Sequence, residues 1–173
     1  YAAYGTHWDA VAGAATGDIA LVEEALFLSR LLVALLPTEP EARGLLALML
    51  YCEARRPARR TADGAFVPLN QQDHRLWSRA MIVEAEHQLI EASRSRVFGR
   101  FQCEAAIQSV HVQRPITGRT NHEALATLYA LLASRLPSIG VLVAQAAAMV
   151  EAGEHAQALA VLERVVAGEV VAY

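Results

Sequence analysis

The sequence predicts an all-α fold of stacked antiparallel helix pairs, and three observations carry that prediction. Alanine is the commonest residue, and it favours helices because it loses no side-chain entropy there. Aliphatic residues recur at spacings of three and four over most of the chain, as they do on one face of a helix. Prolines, glycines and capping residues separate these apolar stretches at short intervals, which is typical of helical hairpins.

The composition indicates a packed, soluble protein of 173 residues. Hydrophobic residues make up 54% of it, yet no apolar run is long enough to cross a bilayer. The net charge of -3 does not suit a binder of phosphate backbones, although all 15 basic residues are arginine. Cys52 and Cys103 lack CxxC spacing and a signal peptide, so we expect reduced thiols and a cytoplasmic location.

The chain is predicted to begin with a tether, residues 1–17, that leads into one helical domain, residues 18–173. The tether holds aromatic and small residues without a clear period and reads as the middle of a longer chain. An apolar helical period then begins, and Pro37 ends it because proline removes a backbone donor. Thr38 and Glu41 have the spacing of a capping box for a second helix.

The helical period breaks between Pro57 and Asn70. Asp63-Gly64 in this stretch predicts a tight turn, and its neighbours are compatible with a short β-hairpin near 61–69. The sequence alone leaves open whether the hairpin forms. Polar, irregular inserts between regular helices often carry function, so this one is the first place to look for a site.

Five further helices are predicted after the insert. Asp73 is the expected N-cap of the first, whose apolar stripe begins at Trp77. The second ends before Pro115. The end signals expected for the later helices are a capping box at Thr120 and Glu123, an N-cap at Ser138 and a turn at Gly153.

The last third of the chain resembles the tetratricopeptide signature. Gly153 precedes a helix that carries a small residue, Ala158, where two helices would cross most tightly, followed by Leu159 and Leu162. Helix pairs of this kind cannot bury their apolar faces alone. The resemblance therefore implies that the pairs stack on one another.

No set of residues for catalysis is complete. Glu84 and His87 share a helix face, but a diiron site would need a second such pair and two more glutamates. Cys103 and His111 lie two helical turns apart, which is too far for proton transfer. Nucleophile-elbow, zinc-protease and phosphate-loop motifs do not occur in the sequence. We therefore expect no enzymatic activity, no metal and no cofactor.

A run of arginines, at residues 55–60, lies at the start of this irregular stretch and has two interpretations. Positive charge is favourable at a helix C-terminus, so the run is explained by helix capping alone. The alternative, which we favour less, is a docking site for an acidic protein segment or nucleic-acid phosphate. The residues predicted to bind a partner are Arg55, Arg56, Arg59, Arg60, Asp63, Phe66, Gln72 and Asp73.

Several blocks together resemble the C-terminal tetratricopeptide-like extension of bacterial extracytoplasmic-function sigma factors. The blocks cover most of the chain, and no single one is as specific as the set. They are residues 1–6 (YAAYGT), 35–50 (LLPxEPEAxGLLALML), 52–56 (CEARR), 63–77 (DGxFVPLxxQDxxxW), 99–108 (GRFQxEAAIQ) and 128–129 (LY), where x is a position that carries no resemblance.

This resemblance implies a regulatory part of a transcription-initiation factor. Promoter-binding and polymerase-binding regions would lie upstream, so contact with DNA would occur only through them. The implied partners are the sigma core regions of the same polypeptide and RNA polymerase; another regulatory protein and a homodimer are also left open. The chain departs from the family pattern at Asn70-Gln71, at His122 and at Ala144-Gln145.

A second hypothesis is a small-molecule sensor. In it, Trp77, His111 and Tyr129 would line a pocket between helix pairs. No membrane contact is expected under either hypothesis.

Overall fold

The computed structural model describes residues 16–95 and 97–168, and this part of the chain is all-α, as predicted. It contains no β-strand. The helices are α1 (Thr16–Leu35), α2 (Pro40–Ala54), α3 (Arg79–Ser93), α4 (Arg100–Val112), α5 (Arg114–Thr117), α6 (His122–Arg135), α7 (Ile139–Glu151) and α8 (His155–Val166). Three short 3-10 turns lie between α2 and α3, at Arg56–Ala58, Leu69–Gln71 and His74–Leu76.

The described residues form two compact units, which divide between Ala105 and Ala106. The boundary between them falls inside α4. Residues 1–15 of the predicted tether lie outside the described residues, and Thr16 and Gly17 already belong to α1. The assignment of residues 18–173 to one domain stays a prediction.

In the first unit, α2 is the central helix and packs against both α1 and α3. Leu46, Leu48 and Met49 of α2 are all at most 3% exposed, although they point to different sides of the helix. A helix that is apolar all round needs neighbours on several sides to hide it. The α1 helix covers one side with Leu26 and Val33, whereas its own Phe27 and Leu35 remain exposed.

The start of α4 also contacts α2, and two features of the sequence permit the close approach. Gly44 of α2 has no Cβ, and one built there would lie 2.6 Å from the backbone nitrogen of Gln102. The Glu41 carboxylate accepts hydrogen bonds from the backbone N–H groups of Phe101 (2.9 Å) and Gln102 (3.0 Å). Glu41 thus caps a helix that begins about sixty residues further along the chain.

In the second unit, α7 packs against α6 and α8. The connections are short, and Gly153 adopts a left-handed conformation (φ 86°) in the turn before α8, as predicted. Ala158 of α8 is 1% exposed, as expected for the small residue at a tight helix crossing. This unit has the helix–turn–helix pattern that the tetratricopeptide resemblance implied.

Two of the predicted capping boxes are wrong. Glu39, not Thr38, caps α2, and its side chain accepts from the backbone N–H of Glu41. Asn121, not Thr120, caps α6 by accepting from Ala124. In each case the N-cap residue lies one position later in the chain, because a side chain caps a helix from the last residue before the helix begins. Ser138 caps α7 as predicted, with its Oγ accepting from Val141.

Among the described residues, no helix is both long enough and apolar enough to span a membrane.

Candidate functional site

The predicted site residues lie on one folded segment, which we call the insert and define as residues 55–79. Its ends are joined where the Ser78 N–H donates to the Ala54 carbonyl (2.8 Å). Its middle is closed by a bond from the Val67 N–H to the Arg59 carbonyl (2.8 Å). The turn Arg56–Ala58 packs against the turn His74–Leu76. The insert is therefore an ordered part of the first unit rather than a free loop.

Of the β-hairpin that the sequence left open near 61–69, the structure contains only one antiparallel bridge, between Arg60 and Phe66. The Thr61 N–H donates to the Ala65 carbonyl (2.9 Å), and the Thr61 hydroxyl accepts from the Ala65 N–H (3.0 Å). After Val67 the chain turns into a 3-10 segment beginning at Leu69, so the pairing does not extend into a ladder.

Asp73 caps a short turn, not the long helix predicted for it. Its carboxylate accepts from the backbone N–H of Arg75, and the turn His74–Leu76 follows. The helix itself begins at Arg79, with Ser78 as its N-cap. Trp77 therefore lies before α3 and is half-buried.

The four arginines of the run occupy different environments. Arg55 is 6% exposed and its Nε donates to the Tyr51 carbonyl (3.3 Å), so the folded protein does not present it to a partner. Arg56 is exposed and pairs with the Glu53 carboxylate. Arg59 is half-buried, whereas Arg60 is exposed and donates to the Gly64 carbonyl (2.9 Å).

Arg56 and Arg59 lie close to buried groups at the end of α2. Burial raises the pKa of the Glu53 carboxyl above its usual range, and the charges of Arg56 and Arg59 partly oppose that rise. Burial also raises the pKa of the Cys52 thiol to about 11, against the opposing charges of Arg55 and Arg59. The charges of part of the arginine run thus act on buried side chains at the end of α2.

The acidic and amide members of the predicted site hold the insert together. The Gln72 Nε2 donates to the Val67 carbonyl (3.1 Å), which ties the second half of the insert to its bridge. Hydrogen bonds from Arg75 lower the pKa of Asp73 to about 2. A hydrogen bond from Thr61 lowers the pKa of Asp63, which is exposed. Both aspartates therefore carry negative charge at neutral pH.

Three surface residues of the insert were not among those predicted to bind a partner. Arg75, Leu76 and Arg79 are all exposed. They lie about twenty residues after the arginine run, and the packing of two 3-10 turns brings Arg75 and Leu76 to it. A sliding count of charge could have found the two arginines, because residues 55–79 contain six arginines and only two aspartates.

The predicted pocket residues do not come together in the cleft that the second unit contains. This cleft has a volume of about 550 Å³ and a polar lining that includes Arg119, His122, Glu123 and Glu151. Neither His111 nor Tyr129 lines it, and Trp77 belongs to the first unit.

The Glu84 side chain of the rejected diiron motif forms a two-pronged ion pair. Both of its oxygens accept from Arg30 of α1, at 2.7 and 2.8 Å. This pair lowers the pKa of Glu84. Within the described ranges, no group of three or more His, Cys, Asp or Glu side chains could hold a metal ion.

Comparison of the sequence with known proteins places the chain in a family. No solved structure matches the chain. An uncharacterized protein of Rhizobium meliloti (strain 1021) is 42% identical over 143 residues, which are 83% of this chain and 34% of that relative. The chain thus spans about a third of the relative's length. A family profile matches residues 1–94, which contain α1, α2, the insert and α3. The chain therefore belongs to the family of unknown function DUF6596.

Proposed function

We propose that this chain is a regulatory protein-interaction domain of an extracytoplasmic-function RNA polymerase sigma factor and contributes to the control of transcription initiation. The proposal starts from the sequence blocks that resemble such extensions. The observation that supports it most is the ordered, basic insert, because block 63–77 forms its surface and its supporting hydrogen bonds. A folded segment of this kind offers a partner a preorganised surface, which lowers the cost of binding.

In this role the domain works by binding and not by catalysis, in the cytoplasm. Its partners are the sigma core regions of the same polypeptide and RNA polymerase, with a further regulatory protein or a second copy as alternatives. DNA contact belongs to regions upstream of this chain. The relative is about three times as long as the part it shares with this chain, so it has room for such regions.

Promoter activation by the full-length factor tests the proposal. We expect removal of residues 18–173 to change transcript yield in a purified system of polymerase, factor and promoter. An intact factor with the exposed substitution Ile116→Ser serves as the matched control, because Ile116 lies outside the insert and is 85% exposed. Unchanged transcription without residues 18–173 would contradict the proposal.

Small-molecule sensing is a second candidate, and the cleft in the second unit favours it. Its volume of about 550 Å³ suits a small ligand, and its lining carries both charges, on Arg119 and on Glu151. Free amino acids carry both charges too. We expect them to raise the melting temperature of the protein, and Glu151→Gln to remove that rise. A melting temperature that no free amino acid changes would contradict this candidate.

A further inference from the structure

The insert exposes large apolar side chains beside its arginines. Phe66 is 64% exposed and is bridged through the backbone to Arg60, which is itself exposed. Leu76 is 52% exposed and follows Arg75 in the turn that packs against Arg56–Ala58. The backbone hydrogen bonds of the insert fix both positions. Large apolar and cationic side chains are therefore both exposed on this ordered segment.

The insert is also a positive region in an acidic protein. Residues 55–79 carry six arginines and two aspartates, whereas the whole chain has a net charge of -3. One of the two aspartates, Asp73, already accepts hydrogen bonds from Arg75. A local excess of positive charge attracts an acidic partner and raises its rate of association.

The apolar side chains decide between two classes of acidic partner. A duplex binds cationic surfaces through its phosphates, and exposed Phe66 and Leu76 gain nothing from those contacts. A protein segment that is acidic and carries apolar side chains satisfies both parts of the surface, since buried apolar anchors contribute most of the energy of such interfaces.

Building on the proposed function, we infer that the insert binds an acidic protein segment that carries at least one large apolar side chain. Arg60 and Arg79 meet its carboxylates, and Phe66 and Leu76 receive its apolar side chain. Long-range attraction from the arginines orients the segment, and burial of the apolar groups holds it.

Fluorescence anisotropy of a labelled peptide with the whole 173-residue chain tests the inference. The probe is a short peptide of glutamate and serine that carries one phenylalanine and one leucine. In the comparison peptide, both apolar residues are serine. We expect the probe to bind about tenfold more tightly than the comparison peptide, which corresponds to about 1.4 kcal/mol. Added salt should weaken both, since the attraction is partly electrostatic.

Substitutions in the exposed side chains locate the binding. Phe66→Ser and Leu76→Ser should each weaken probe binding several-fold, and the pair Arg60→Gln with Arg79→Gln should weaken both peptides. The matched controls are Ile116→Ser, an exposed apolar residue, and Arg135→Gln, an exposed arginine, both in the second unit. Circular dichroism of each variant checks that the helical fold is intact.

Three outcomes would overturn the inference. The first is equal affinity for the two peptides, and the second is unchanged probe binding by folded Phe66→Ser and Leu76→Ser proteins. The third is displacement of the probe by a duplex or single-stranded oligonucleotide at lower concentration than by unlabelled peptide. The proposed function fails separately, because it fails when deletion of residues 18–173 leaves transcription unchanged, whatever the peptide does.

Discussion

The central helix of the first unit and the last helix of the second unit are made of similar residues but bury them differently. In α2, Leu46 and Leu50 are at most 1% exposed. In α8, Leu159 is 59% exposed and Val166 is 88% exposed, while Ala158 is buried. The difference comes from neighbours, because α2 packs between two helices and contacts the start of α4, whereas α8 packs on α7. Burial is thus a property of position in the stack, and hydrophobicity alone does not predict it.

The largest difference is expected when a leucine is replaced by alanine in each of the two helices. Leu50→Ala removes a fully buried side chain and should lower the free energy of unfolding by about 2–5 kcal/mol. Leu159→Ala removes a mostly exposed one and should change it by less than about 0.5 kcal/mol. Urea unfolding followed by circular dichroism measures both. Equal effects would mean that the two helices are not packed as described.

Two helical glycines provide a smaller test in the same two units. Gly44→Ala in α2 places a methyl group 2.6 Å from the Gln102 backbone nitrogen and should destabilise the protein by about 1–3 kcal/mol. Gly140→Ala in α7 meets no atom within 4 Å and should stabilise it by about 0.5–1 kcal/mol. Opposite shifts in melting temperature are the expected result. A stabilising Gly44→Ala would contradict the close approach of α2 and α4.

The smallest effect is expected on the surface of the insert, where charges lie in water. Arg75→Gln removes the hydrogen bonds that lower the Asp73 pKa to about 2, so that pKa should rise toward 3.8. Because the pKa of Asp73 is lower in the folded protein, ionised Asp73 stabilises the folded state at pH values above its pKa in the unfolded chain. This contribution to stability is lost as the pH falls through the folded-state pKa. NMR titration of the Asp73 carboxyl carbon measures the change. An unmoved pKa would show that Arg75 does not hold Asp73 in solution.

Much of the helical framework could be predicted because its signals are local. Ser138 and Gly153 mark their helix ends through their own backbone conformations, and both predictions are confirmed. The N-caps predicted at Thr38 and Thr120 are wrong by one residue. Several polar residues at each helix start can act as the cap, and the backbone conformation selects one of them. Glu41 could not be assigned its partner from sequence, since that partner lies on α4.

The sequence pointed to the segment that holds the candidate site but did not predict which of its side chains are exposed. The arginine run and the Asp-Gly turn pointed to the right segment. However, the pattern could not show that Arg55 is buried or that Leu76 is exposed beside the first turn of the insert. Both facts follow from the packing of two 3-10 turns against each other, and no periodicity in the sequence encodes that contact.

Glu41 connects the stretch that the family profile matches to residues beyond it. The residue lies within the matched stretch, 1–94, but the two N–H groups that it binds belong to Phe101 and Gln102. A polypeptide truncated after residue 94 would leave this carboxylate of α2 without the backbone donors of α4 and would uncover the surface around Gly44. In this chain the packing around α2 therefore depends on residues of α4, past the end of the stretch that the family profile matches.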